Sequence, residues 1–239
     1  MNHRRIRWRA VLASLAVVAS CSDSGESSPT TGERPERATT PATEAKPTGA
    51  APSSDATGDA PSAAEEVTTD FLEAENAFDA DRALTYLSDE FIAAGTGGEE
   101  QYRLDISFSQ ALSIKILNID CQQHSESAAG IVARCTYDHH TMRSDEIGLG
   151  PYRGDYKELT IRDGKIVAVE SHLAFMTNGF SDLMWEPFAR WVKAEHPSDV
   201  QRLYEDASQT QQRITEESIP LWEQHLREYA AAHPQSAEG

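Results

Sequence analysis

The chain has 239 residues and a formal net charge of −18, with 39 acidic side chains against 21 lysines and arginines. A chain of this charge repels the phosphate backbone of nucleic acids, so we expect no nucleic-acid partner. The length allows one or two domains, but the apolar residues are unevenly spread along it. We therefore expect a single folded domain over residues 62–233.

The N-terminus has the pattern of an export signal. Arginines at positions 4, 5, 7 and 9 precede an apolar run at 10–20, which is too short to span a bilayer. The small residues at 18–20 followed by Cys21 resemble the lipobox of bacterial lipoproteins, in which the cysteine receives a lipid and becomes the new N-terminus. The resemblance implies that residues 1–20 are a cleaved signal peptide and that Cys21 anchors the protein outside the cell membrane. A plain secretory signal with a chance cysteine is the alternative.

The segment after this cysteine lacks the large apolar residues needed to build a hydrophobic core. Residues 22–62 contain no Val, Ile, Leu, Met, Phe, Tyr or Trp. Chains of this composition stay disordered, because they cannot bury enough apolar surface to offset the lost conformational entropy. We interpret residues 21–61 as a lipidated cysteine followed by a disordered linker that tethers the domain to the membrane.

Helices are predicted to open the folded domain. Ser62 and Glu65 form a capping-box pattern, and the apolar residues that follow recur every three or four positions. We expect a second short helix through Leu87, a brief strand at 90–94 and a third helix at about 99–112.

A cysteine-containing hairpin is predicted next. Folding the strand at 114–122 against the strand at 130–141 sets Cys121 opposite Cys135, which predicts a disulfide if the protein is exported. The same register places four further side chains on the cysteine face: Leu117 opposite His139, and Ile119 opposite Tyr137.

A second hairpin is predicted around the two-residue turn Asp163 and Gly164, which joins strands at 155–162 and 165–173. Its expected pairs are Lys157 with Glu170, Leu159 with Ala168, and Ile161 with Ile166. Four antiparallel strands after three helices predict an α+β fold, with the N-terminal helices packed on a curved antiparallel sheet.

This order of elements resembles the nuclear transport factor 2-like superfamily, and its SnoaL-like and ketosteroid-isomerase-like members look most similar. The resemblance covers residues 62–175 and rests on the residues Phe71, Leu72, Ala74, Ala83, Leu84, Leu87, Phe91, Asp163, Gly164, Lys165 and Ile166. It implies a cone-shaped pocket between sheet and helices, which some members use for acid–base catalysis and many for binding or assembly. Residues 169–174 depart from the SnoaL-like pattern, so no catalytic residue is carried over.

The remaining residues at 176–233 are predicted to form a C-terminal helical extension that packs on this domain, with a short tail at 234–239. It contains the three tryptophans at positions 185, 191 and 222. Ordinary core packing explains them, and a cover over the pocket or a docking surface is the alternative.

The candidate pocket residues are Leu117, Ile119, Tyr137, His139, Glu170 and His172. Four of them carry groups suited to acid–base chemistry, namely Tyr137, His139, Glu170 and His172. We expect no metal at His139 and His140, because neighbours on a strand point to opposite faces. We also expect no cofactor, since the chain has no nucleotide-binding loop.

Together these features predict an exported, membrane-anchored lipoprotein whose domain binds a small apolar ligand or a protein partner at the cell envelope. The alternative is a SnoaL-like acid–base enzyme, an isomerase, cyclase or hydrolase, that acts on a small hydrophobic substrate.

Lipidation at Cys21 can be tested directly. Mass spectrometry of the mature protein should find an acylated cysteine at the N-terminus, and Cys21→Ala should release the protein from the membrane fraction. An unmodified N-terminus elsewhere in the chain, or unchanged membrane retention of the variant, would contradict the prediction.

Overall fold

The structure is a computed structural model that describes residues 61–234. The predicted signal peptide, Cys21 and almost all of the linker lie outside the described residues. Within them, no helix is both long and apolar enough to cross a membrane.

Helix α1, Ala63–Asn76, begins at the predicted capping box. The Ser62 hydroxyl oxygen accepts from the Glu65 amide at 3.3 Å, and a Glu65 carboxylate oxygen accepts from the Ser62 amide at 2.6 Å. At the other end, the Asn76 side chain donates to the Ile116 carbonyl at 3.1 Å and accepts from the Ile116 amide at 2.7 Å. These two hydrogen bonds tie the end of α1 to the start of the sheet.

Three more helices complete the N-terminal layer: α2 at Ala80–Leu84, α3 at Asp89–Phe91 and α4 at Glu99–Ala111. The strand predicted at 90–94 is wrong, because α3 continues into a π-helical turn at Ile92–Thr96. The Ser88 hydroxyl caps α3 by accepting from the Phe91 amide at 3.1 Å, and this local hydrogen bond favours the helical turn.

The sheet has four antiparallel strands in chain order: β1 at Lys115–Ser127, β2 at Gly130–His140, β3 at Tyr152–Arg162 and β4 at Lys165–His172. Cys121 lies directly opposite Cys135, and the two sulfurs form a disulfide. The predicted α+β fold is confirmed, with helices packed against one sheet.

A β-bulge in β1 makes part of the register predicted for the first hairpin wrong. The register shifts between Leu117 and Asp120, and Asn118 has a φ of 55°, a left-handed conformation that asparagine tolerates better than most residues. The extra residue turns the side chains of the preceding part of the strand to the opposite face of the sheet. Leu117 therefore pairs with Asp138 instead of His139 and is 38% exposed.

The second hairpin turns at Asp163 and Gly164 as predicted, and Ile161 pairs with Ile166. The register then shifts between Thr160 and Ile161, so the other two predicted pairs are wrong. Leu159 pairs with Val169, Lys157 with Ser171 and Glu158 with Glu170. The acidic side chain of Glu170 is exposed as a result.

After β4 the chain forms a π-helical turn at Ser181–Trp185 and helices α5 at Glu186–Glu195, α6 at Val200–Leu203 and α7 at Ser218–Ala232. Their aromatic residues share one apolar core with α4 and the start of β3. Trp222, for example, packs edge-on against Phe108 of α4 with 5.7 Å between ring centroids.

Candidate functional site

Seven polar side chains are buried between the inner face of the sheet and helices α1 and α4. We call this set the polar strip: Glu75, Tyr102, Asp105, Tyr137, His139, Asp155 and Lys157. Burying such groups costs free energy unless each finds a partner. Their pairing therefore indicates which of them hold the fold together and which remain able to bind a ligand.

One end of the polar strip is a buried ion pair. Lys157 of β3 places its Nζ 2.6 Å from Oε2 of Glu75 in α1, and the two side chains are only 7% and 4% exposed. The Tyr102 hydroxyl of α4 donates to the other Glu75 oxygen at 3.5 Å. Three different elements are thus joined at one carboxylate, and its hydrogen-bonding capacity is largely used within the protein.

The other end is a histidine–aspartate pair whose polar atoms are not fully used. His139 Nδ1 lies 3.4 Å from Asp155 Oδ2, with side chains 2% and 0% exposed, but the contact lacks hydrogen-bond geometry. The second Asp155 oxygen accepts from the Ala174 amide at 2.7 Å. Within residues 61–234, both His139 ring nitrogens and Asp155 Oδ2 have no hydrogen-bond partner.

Burial sets the charge of this pair. It lowers the pKa of His139 to about 4, with His140 acting in the same direction and Asp138 opposing it. Burial also raises the pKa of Asp155, against the opposing hydrogen bond from Ala174. At neutral pH the His139 imidazole is therefore neutral, with one nitrogen able to donate and the other able to accept.

Tyr137 connects the two ends of the polar strip. Burial raises the pKa of its phenol, and the nearby carboxylates of Asp155 and Glu75 raise it further. The phenol consequently keeps its proton and can act as a donor. Its ring packs edge-on against His139, with centroids 6.3 Å apart.

An aromatic wall closes the His139 end. The Tyr152 ring lies 5.6 Å from the His139 ring, and Phe180 of the C-terminal extension packs edge-on against Tyr152 at 5.2 Å. The Tyr152 hydroxyl is buried beside Ser144. The extension thus covers the histidine–aspartate pair.

Asp105 on α4 is the third carboxylate of the polar strip. One oxygen accepts from Nε2 of Gln101 at 2.9 Å, and the other has no hydrogen-bond partner among residues 61–234. Burial raises the pKa of Asp105 to about 6, and the Gln101 hydrogen bond only partly opposes this shift. The carboxyl group therefore titrates close to neutral pH.

The structure divides the six pocket residues predicted from sequence. Tyr137 and His139 belong to the polar strip, and Ile119 is half-buried against the apolar core beside it. Leu117 is exposed because of the β1 bulge. Its assignment to the pocket is wrong.

Glu170 and His172 are also wrongly assigned to the pocket, because the register shift in the β3–β4 hairpin turns them to the outer face. There the His172 ring stacks on Tyr156 at 4.3 Å, and its Nε2 lies 3.8 Å from Glu158. The two residues are therefore remote from His139.

Sequence reasoning missed five members of the polar strip: Glu75, Tyr102, Asp105, Asp155 and Lys157. A signal for some of them exists in the alternation of β3, where Asp155 and Lys157 share a face with Leu159 and Ile161. Asp105 likewise falls between Tyr102 and Phe108 at helical spacing. A charged residue at a core position is the informative observation in both cases.

A separate groove of about 800 Å³ lies between α4 and the segment at 214–219. This volume falls in the range of small-molecule sites. Its lining includes Gln101, Arg103, Leu104, Ile214, Glu216 and Ile219. We call it the α4 groove, and it is the second place where a ligand would fit.

The sequence matches no protein-family model and no curated protein. Several solved structures are similar to about half of the chain. An NTF2-like protein of unknown function from Cytophaga hutchinsonii is 12% identical, with 50% of this chain and 96% of that chain covered and a TM-score of 0.34. A putative polyketide cyclase from Pseudomonas putida KT2440 is 19% identical, with 47% and 92% covered and a TM-score of 0.34. A second putative polyketide cyclase, from Silicibacter sp. TM1040, is 19% identical, with 45% and 85% covered and a TM-score of 0.33.

The raised pKa of Asp105 predicts a pH-dependent stability. Because the pKa is about 6 in the folded protein and 3.8 for an ordinary aspartate, the folded state holds this proton more tightly than the unfolded state. Its stabilising contribution is present below pH 4 and is lost as the pH rises to about 6.

Asp105→Asn should remove this loss, so that the variant gains up to about 3 kcal/mol over the wild type between pH 4 and pH 7. Urea unfolding across this pH range measures the difference. The matched change Asp163→Asn, in the exposed β3–β4 turn, should leave the profile unchanged. Parallel profiles for wild type and Asp105→Asn would contradict the assignment.

Proposed function

We propose that this protein is exported, lipid-anchored through Cys21, and binds a small molecule with an apolar body and one polar group at the cell envelope. The polar strip recognises the polar group. The observation that carries the proposal is the set of buried polar atoms at the His139 end that have no hydrogen-bond partner within residues 61–234: both ring nitrogens of His139 and Oδ2 of Asp155.

Each such atom costs the folded protein about 1–3 kcal/mol, because it has given up water without gaining a partner. A ligand that pairs with them recovers this free energy on binding. A neutral imidazole offers one donor and one acceptor, and Asp155 offers an acceptor. This combination suits a hydroxyl or a carbonyl group on the ligand.

The surroundings of these atoms suit an apolar ligand body. The rings of Tyr137 and Tyr152 pack against the His139 ring, and Phe180 packs against Tyr152. Since His139 is buried, a ligand reaches it only after the segment that carries Phe180 moves aside. That segment includes Met176 and Leu183, whose exposed apolar side chains would contact an incoming ligand first.

An acid–base enzyme is the second candidate, and the His139–Asp155 pair specifically favours it. A neutral imidazole can take a proton from a bound substrate, and the adjacent Asp155 carboxylate would stabilise the imidazolium that forms. A positioned base of this kind contributes about 10²–10⁴-fold to a rate. The reaction would be an isomerisation, cyclisation or hydrolysis of a small hydrophobic substrate.

Binding should depend on His139 and not on His172, which offers a matched control on the outer face of the sheet. The probe is naphthol, an apolar body with one hydroxyl group, and its fluorescence reports binding. His139→Gln should weaken naphthol binding at least tenfold, because the buried polar contacts are disturbed, and His172→Gln should leave binding unchanged.

Two further outcomes separate the alternatives. Unchanged binding in His139→Gln, with binding lost in Leu104→Arg, would place the ligand in the α4 groove and overturn the proposal. If a panel of aromatic ketones and esters is turned over by the wild type and His172→Gln but not by His139→Gln, the enzyme replaces the binding protein.

A further inference from the structure

A second group of titratable side chains lies in the C-terminal extension, away from the polar strip. His196 follows the last residue of α5, Asp199 precedes α6, and His225 lies within α7. One ligand atom from each of the three residues lies within 4.8 Å of the others. We call them the His–Asp–His cluster.

The distances within this cluster are close to those of a metal site. His225 Nε2 lies 3.1 Å from Asp199 Oδ2, and the rings of His196 and His225 have centroids 4.1 Å apart. Ligand atoms around a tetrahedral zinc ion lie about 3.3 Å apart, because each is about 2.0–2.1 Å from the metal. The separations within the cluster are at most 4.8 Å, which exceeds this spacing by about 1.5 Å, so small side-chain shifts would meet the geometry.

Glu228 lies beside both histidines and completes the surroundings expected of a metal site. Its Oε2 is 3.4 Å from His225 Nδ1, the nitrogen that faces away from Asp199, and 3.1 Å from His196 Nε2. Gln224 holds the other Glu228 oxygen through a hydrogen bond of 2.9 Å. A carboxylate on the second nitrogen of a metal-binding histidine fixes its tautomer and ring orientation.

The charges around the cluster favour a cation. Asp199 and Glu228 are acidic, and Arg202 is the basic side chain paired with the cluster, 3.0 Å from Asp199 Oδ1. This pair uses the Asp199 oxygen that faces away from His225 and leaves Oδ2 for a metal. His225 is 1% exposed, and the Trp191 ring packs edge-on against His196 at 4.9 Å, so the cluster has an apolar side.

We propose that His196, Asp199 and His225 bind one divalent transition-metal ion, with Glu228 orienting His225 and a water molecule completing the coordination. Two imidazoles, one carboxylate and a water molecule form a donor set of zinc sites, so zinc is the ion that we assign. The ion would join α5, α6 and α7, and so would stabilise the extension that covers the His139 end of the polar strip.

A different use of the same residues is a plain hydrogen-bond network, with His225 held between the carboxylates of Asp199 and Glu228. The chain offers a matched comparison in a second group on the outer face of the sheet, made of Glu158, Glu170 and His172. That group has one imidazole instead of two, and Arg134 already donates from Nε to Glu158 at 2.9 Å. It should not compete for zinc.

The test uses the full chain made without a polyhistidine tag and stripped of metal. Calorimetric titration with Zn²⁺ should show one equivalent bound, and Co²⁺ should give the visible absorption bands of tetrahedral coordination. His196→Ala should weaken Zn²⁺ binding at least 100-fold, and Glu228→Gln about 10–100-fold, as other outer-shell carboxylates do. His172→Ala should bind as the wild type does.

Zn²⁺ should also raise the melting temperature of the wild type but not of His196→Ala. If His196→Ala does not fold without metal, Asp199→Asn, which keeps the side-chain size, takes its place. Failure of the wild type to bind one equivalent of Zn²⁺ overturns the proposal and leaves a hydrogen-bond network. Zn²⁺ binding that survives in both His196→Ala and Asp199→Asn, or that is lost in His172→Ala, overturns the proposal as well.

Discussion

Charge on the inner face of β3 is the constraint on which the rest of the domain depends. Asp155 and Lys157 occupy positions that the alternation of the strand directs into the core, and an ion buried there costs several kcal/mol unless it is paired. Glu75 supplies the partner for Lys157 and thereby fixes α1 against the sheet. Oδ2 of Asp155 has no hydrogen-bond partner among the described residues, and this difference separates the paired end of the polar strip from the end that we propose binds a ligand.

The C-terminal extension keeps the His139 end of the polar strip buried. Phe180 and Tyr152 close the His139 end, and Trp222 of α7 packs on Phe108 of α4. Water is thereby kept from the histidine–aspartate pair, which is why the pKa of His139 falls and that of Asp155 rises. The same helices carry the His–Asp–His cluster, so an ion bound there would stabilise the cover over the pair.

Local signals in the sequence were sufficient to predict much of the fold. The capping box at Ser62, the turn at Asp163 and Gly164, and the opposition of Cys121 and Cys135 each depend on residues close in the chain, and the structure contains all three. The two register shifts were not predictable in this way. A left-handed Asn118 adds one residue to a strand without interrupting its apolar pattern, and the facing of Leu117 reverses as a result.

The polar strip could be predicted only in part, for a related reason. Tyr137 and His139 follow from strand alternation, but the burial of Lys157 depends on Glu75, which lies 82 residues earlier. No local pattern indicates that a glutamate near the end of an amphipathic helix will face a lysine on the third strand. Glu170 and His172 were chosen instead because alternation without the β3–β4 register shift places them inward.

Charge in the polar strip thus has two roles: the Glu75–Lys157 pair holds α1 against the sheet, and the His139 end, in our proposal, binds the ligand. The most direct test combines urea unfolding with naphthol binding in Lys157→Met and in the double variant Glu75→Leu, Lys157→Met. The single change should cost about 3–5 kcal/mol, since it leaves a buried carboxylate without its partner, and the second change should recover most of that loss. The double variant should bind naphthol as the wild type does, because the ion pair lies at the paired end of the polar strip and the His139–Asp155 end is left unchanged. A double variant that stays as unstable as the single one, or that folds but no longer binds naphthol, would contradict this division of the strip.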